Sequence, residues 1–167
     1  MASWIQLEGQ APELAAAGWR LFHRGGRVAI GFLATVARHG APRLAPVCPI
    51  FANENVYVSV GAHTPKQKDL LWNGRFVLHA FLGTGDEEFQ VTGRALEVAD
   101  PDARAAVLRA IAFGAYSVAD PIFLLDLQQG LHVRWENVGQ PDTRAIRRRW
   151  TASSGIVRES SWSLKGR

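Results

Sequence analysis

A single cysteine, Cys48, stands in 167 residues, so no intrachain disulfide can form and no cysteine-based metal site can be assembled within one chain. Cys48 is expected as a small buried hydrophobe. The five histidines, His23, His39, His63, His79 and His132, lack close ligand spacing, which argues against a metal centre. No apolar run reaches the roughly 18 to 20 residues of a membrane-spanning helix, because Arg, His, Pro or Gly interrupts each one. Residues 1–10 also lack the basic-then-apolar order of a signal peptide. The expectations are a cytoplasmic location and no membrane partner. No G-x-S-x-G elbow surrounds Ser59 and no base flanks Cys48, so nucleophilic catalysis finds no support. Asp86, Glu87 and Glu88 read as a solvated hairpin tip rather than an acid/base pair.

What is present is the balance of a globular protein: 47% hydrophobic and 20% charged residues. Residues 1–151 read as a single domain, and residues 152–167 as a polar, Ser-rich tail expected to fray. A net charge of +4 suits nucleic acid, an anionic membrane or a phosphorylated small molecule. The basic residues are scattered, and only Arg147, Arg148 and Arg149 form a run. On a strand, alternation sends Arg147 and Arg149 to one face and Arg148 with Trp150 to the other, which dilutes a nucleic-acid patch. No nucleic-acid partner is expected. The six tryptophans read as core and dimer contacts.

Residues 12–23 predict a helix stopped by Gly25 and Gly26. Strands are expected at 27–37, 43–51, 56–60, 75–82, 88–98, 122–127, 131–137 and 144–150. Pro46 and Pro49 cannot donate to a ladder, so the second strand should be an edge, bulged or irregular. Asp100 and Pro101 open a helix running through Phe113, with Ala103, Ala106, Val107, Ala110 and Ile111 on its apolar face. Many evenly spaced strands with helices only as insertions predict a mainly β protein, a small antiparallel barrel rather than a βαβ sheet.

Residues 64–74, T-P-K-Q-K-D-L-L-W-N-G, are the most informative. Thr64 is a good N-cap, Pro65 suits the first helical position, and Asn73 with Gly74 makes a stop. A strand leading into such a helix start can hold an anion, through unpaired first-turn amides and the positive end of the dipole. Lys66 and Lys68 add positive charge and Thr64 a hydroxyl. A phosphate ester is the natural guest, and a plain cap with solvated lysines is the other reading.

From residue 27 to residue 98 the order of motifs resembles the pyridoxamine 5′-phosphate oxidase-like, FMN-binding split barrels: an apolar first strand, R-L-A-P-V-C-P-I-F, V-Y-V-S-V, T-P-K-Q-K-D-L-L-W-N-G-R-F and F-Q-V-T-G-R-A. The resemblance implies an antiparallel split β-barrel acting as a homodimer with the cofactor at its interface. It places the cofactor phosphate on Thr64, Lys66 and Lys68. It lays Arg43, Ala45, Pro46 and Val47 along the flavin ring, with Ser59 and Val60 lining the site and Gln90 near the ring. The C-terminal part carries no close copy of the segment that grips pyridoxamine phosphate, Trp135 and Arg144 being a rough echo. The implied function is therefore a flavin-dependent oxidoreductase acting on an unidentified small molecule. The superfamily's deazaflavin-dependent reductases and its flavin- or haem-binding members without turnover are the alternatives. The flavin does the chemistry in such sites, so no catalytic side chain is assigned.

Overall fold

The computed structural model describes residues 1–114 and 116–163. In chain order it contains α1 (Trp4–Gln10), α2 (Pro12–Phe22), β1 (Gly31–Val36), β2 (Pro42–Val47), β3 (Ile50–Ala52), β4 (Asn55–Ser59), α3 (Pro65–Asn73), β5 (Arg75–Ala80), β6 (Glu88–Glu97), α4 (Pro101–Arg109), β7 (Ile122–Glu136), β8 (Arg144–Thr151) and β9 (Ile156–Ser163).

All strand pairs are antiparallel and follow the order β2-β1-β5-β6-β7-β4-β3. The two ends of that path, β2 and β3, are consecutive in the chain and separated only by Cys48 and Pro49. The sheet must therefore curl until its ends meet, and the ring is closed by the covalent chain rather than by a ladder. The expected single strand 43–51 is thus two strands with a bend. Pro49, which has no N–H to give, stands at that bend.

β7 holds the architecture together. The sequence predicts two strands, 122–127 and 131–137, broken by Gln128, Gln129 and Gly130, but β7 runs unbroken for 15 residues. It pairs with β6 on one edge, and on the other with β4 near its start and β8 over its second half. Pairing on both edges outweighs the weak local propensity of the break. Between Thr92 and Gly93 the register slips, so Gln128 is an extra residue on β7. A Cβ at Gly93 would lie 1.8 Å from the Asp126 carbonyl oxygen, so glycine is required there. Where β7 leaves β4 it begins the ladder β7-β8-β9, which splits from the barrel.

Residues 156–163 are not a frayed tail. They form β9, fully paired with β8 although every residue is exposed. With both faces wet the strand needs no hydrophobic alternation, so its Ser-rich sequence gives no strand signal. Likewise α1 is not announced by pattern, since only Trp4 and Leu7 are buried, but Ser3 caps it by accepting from the Gln6 amide. Helix α4 ends at Arg109, short of Phe113, with only Val107 fully buried. Its last turn closes through the Ala110 amide onto the Val107 and Leu108 carbonyls.

The main core joins Leu7, Leu14, Leu21 and Phe22 of the helices to Leu33, Leu78, Phe89, Val91, Leu125, Leu127 and Trp150 of the sheet. Helix α2 fits closely enough that a Cβ on Gly18 would meet the Phe89 ring at 2.4 Å. A second cluster, Ile50, Tyr57, Val107 and Ile122, seats α4. Among the described residues no helix is long and apolar enough to cross a membrane.

Candidate functional site

The start of α3 is built as its sequence demands. Thr64 is extended, and its hydroxyl donates to the Gly61 carbonyl (2.8 Å) while accepting from the Gln67 amide (3.4 Å). The Gln67 side chain reaches back to the His63 amide, giving a reciprocal cap. At the other end Gly74 takes the left-handed conformation at φ 66°, and Asn73 binds the Val36 carbonyl and the Arg75 amide, tying helix to barrel.

This wiring narrows what the helix start can offer an anion. Pro65 has no amide hydrogen, the Gln67 amide is taken by Thr64, and the Lys68 amide bonds to the Thr64 carbonyl. The Lys66 amide has no partner among the described residues. Thr64 therefore acts here as a cap, its hydroxyl proton being engaged. Residues 66 and 68 lie about 200° apart around the helix, so the two lysines leave it in nearly opposite directions. Lys66 is half-buried, on the side of the buried Asp69 and Leu70, whereas Lys68 is exposed on the far side.

Arg43 completes this corner. Along β2, Arg43, Ala45 and Val47 share one face, and Leu44 with Pro46 the other. Arg43 is thereby turned toward α3, where its Nε donates to Asp69 Oδ2 at 2.8 Å. The same oxygen accepts from the Thr35 hydroxyl at 2.7 Å, opposite Arg43 on β1. Lys66 precedes Asp69 by three residues and lies beside it on α3. Arg43 thus pairs with the buried carboxylate and Lys66 leaves α3 one turn before it; among the described residues the remaining Arg43 guanidinium N–H groups, the Lys66 ammonium and the Lys66 amide have no partner. The loop before α3 is held by an acid from the α4–β7 connection, Asp120, whose carboxylate accepts from the Ala62 and Ser117 amides.

The remaining predicted residues separate. Val47 and Val60 are core residues at 8% and 1% exposure. Ala45 and Ser59 are half-buried. Pro46 and Gln90 lie on the sheet's outer face in one cross-strand row, Pro46, Phe32, His79, Gln90, Leu131 and Arg149. So the structure sets Arg43 beside α3, with Lys66 and the Thr64 cap on that helix's first turn, and sets Pro46 and Gln90 in an outer row in which Phe32, His79 and Gln90 are half-buried while Pro46 and Arg149 are exposed. Sequence reading passed over Phe32, His79 and Arg149, although strand alternation carries their signal.

Glu87 is not a solvated tip residue. Its Oε1 accepts from Arg20 and bonds His132 Nε2, each at 2.7 Å, so it clasps α2 to β7. The Arg20 hydrogen bond, outweighing burial and joined by His132, holds the Glu87 carboxyl below its usual range. Cys48 is half-buried rather than core, and desolvation raises its thiol pKa. Among the described residues no cluster of His, Cys, Asp or Glu is arranged to hold a metal.

No family model matches this chain, and no curated protein matches it in sequence. Solved structures do. A pyridoxamine 5′-phosphate oxidase-related, FMN-binding protein from Nostoc punctiforme superposes with a TM-score of 0.62 at 16% identity, over 99% of this chain and 98% of that one. PhzG from Burkholderia lata, solved with tetrahydrophenazine-1-carboxylic acid, gives 0.58 at 12% identity, over 98% and 93%. A haem-binding protein from Mycobacterium smegmatis gives 0.57 at 20% identity, over 84% of this chain but 59% of its own length. The likeness to the Nostoc protein runs nearly end to end. The chain has the split-barrel fold of the pyridoxamine 5′-phosphate oxidase-like, FMN-binding proteins.

Proposed function

We propose that this protein is an FMN-binding oxidoreductase that works as a homodimer on a small molecule. The observation that carries the reading is the corner formed by Arg43 and Lys66 around the buried Asp69. Its donors (one free amide, one ammonium and an outward guanidinium edge) match the three oxygens of a phosphate monoester. The donor set therefore fits FMN at its phosphate end. Pro46 stands three residues from Arg43 on the same strand, about 10 Å along it, on the opposite face, reached across the open edge of β2; there half-buried Phe32 and Gln90 offer an apolar surface and an amide to a flat ring. When bound, FMN supplies two-electron transfer. This chain's residues anchor the phosphate and orient the ring. A cytoplasmic setting fits this reading.

Leu44 is 64% exposed on that same outer face, next to the row containing Pro46 and Phe32. Nearby Phe81 and Leu82 are 38% and 46% exposed. Such an apolar surface on a single chain supports burial against a second copy.

Titration of the apo-protein with FMN, riboflavin, a deazaflavin coenzyme and haemin tests the reading. FMN is expected to bind well above riboflavin, which lacks the phosphate. Lys66→Ala should weaken FMN by about 1.5–3 kcal/mol, one charge-assisted contact, and Lys68→Ala far less. Equal affinity for FMN and riboflavin, with Lys66→Ala silent, would overturn the phosphate assignment. Preferential haemin or deazaflavin binding would replace the cofactor.

A further inference from the structure

A cavity of about 510 Å³ opens on the opposite side of the β2–β3 bend, lined by Trp19, His23, Arg27, Pro49, Phe51 and Phe113 among others. None of the phosphate-corner residues lines it. Its volume is in the range that accommodates small organic ligands. We infer that this cavity is a binding site for a planar aromatic carboxylate, a further site that does not depend on the flavin reading.

The aromatic part of the claim comes from α2 and β3. Trp19 and His23, one turn apart, stack with ring centroids 4.0 Å apart and planes 30° apart. Phe51 meets Trp19 edge-on at 5.0 Å and His23 at 5.3 Å, so the slab is braced from behind. Trp19 nonetheless stays 47% exposed. A large indole held rigid by its neighbours and left uncovered offers a prepared stacking surface at little further loss of side-chain freedom.

The anionic part comes from the charges. No Asp or Glu lines the cavity, and Arg27 has neither ion pair nor hydrogen bond among the described residues. His23 Nδ1 faces the Trp19 carbonyl at 2.9 Å, and since a carbonyl only accepts, Nδ1 carries a proton and Nε2 remains for a ligand. An unpaired guanidinium fork is matched by the two oxygens of a carboxylate. Arg27 and His23 are the ionisable side chains that line the cavity.

Calorimetric titration of the full chain with three probes tests the inference: 1-naphthoate, its cationic counterpart 1-naphthylmethylammonium, and the non-aromatic cyclohexanecarboxylate. Naphthoate should bind at least about tenfold more tightly than either. Arg27→Gln, at an exposed position, should melt like the parent, and Trp19→Ala, which also loses its contacts with His23 and Phe51, is titrated well below its own Tm; each should weaken naphthoate by about tenfold. Lys66→Ala and saturating FMN should leave naphthoate binding in place, so loss of FMN binding would not touch this result. Equal affinity for the anionic and cationic probes overturns the inference, as does a silent Arg27→Gln. Displacement of naphthoate by FMN, with loss in Lys66→Ala, also overturns it by assigning the binding to the phosphate corner.

Discussion

Replacement of Asp69 by alanine isolates the linchpin of the phosphate corner. One carboxylate oxygen receives both the Thr35 hydroxyl and Arg43 Nε, and Asp69 itself is 5% exposed. Thr35 is 2% exposed, so its orphaned hydroxyl should cost about 1–3 kcal/mol. The Arg43 side chain is 39% exposed and regains water, so its share is discounted to about 1 kcal/mol or less. The sum is about 1–4 kcal/mol, which for a chain of this size lowers Tm by about 2–16 °C. Thermal unfolding followed by circular dichroism reads this directly. Thr35→Val removes the donor while keeping the shape, so in that background Asp69→Ala should cost about 1–2 kcal/mol less. A Tm for Asp69→Ala within about 2 °C of the parent, or additive effects in the double variant, would refute the argument that this oxygen ties β1, β2 and α3 together.

Gly93→Ala should abolish cooperative folding, because the new methyl would fall on the Asp126 carbonyl at 1.8 Å; soluble yield and a calorimetric scan read this out. The carboxyl of Glu87 is held below its usual pKa chiefly by Arg20, so its stabilisation is present above the unfolded value of about 4.3 and is lost as pH falls through the lower folded value. The Tm difference between the parent and Glu87→Gln should therefore hold at about pH 5–6 and shrink toward zero below about pH 4. Burial raises the Cys48 pKa, so iodoacetamide should label it more slowly than a free thiol at about pH 7.5, with urea removing the difference. Light scattering should give twice the 18.3 kDa chain mass, and Leu44→Glu, at a site 64% exposed in the single chain, should give a folded monomer.

Features written in local chemistry were legible from the sequence. Thr64, Pro65, Asn73 and Gly74 announce both ends of α3 because capping depends on residues within a few positions. Pro46 and Pro49 mark the irregular strand that became β2 and β3 for the same reason. What long-range pairing decides was not legible. β7 bridges its weak Gln128–Gly130 stretch because β6 and β8 flank it there, and β9 exists because β8 offers an edge. At the site, the alternation of β2 was readable, but the contact that turns Arg43 onto α3, with Asp69 26 positions away, was not. Val47 and Val60 share the strands of genuine candidates while pointing into the core, a distinction that burial alone reveals.

The seam of the barrel leaves β2 and β3 each with one unpaired edge. Open edges of this kind template fibril growth when they can donate a regular series of hydrogen bonds to another molecule. Pro42 and Pro46 have the same parity on β2, so their missing donors fall on one side of the strand, the side away from β1. Pro49 interrupts the series again at the bend. These imino acids break the regular series of donors that such growth requires, so a chain with all three replaced should form fibrils faster than the parent.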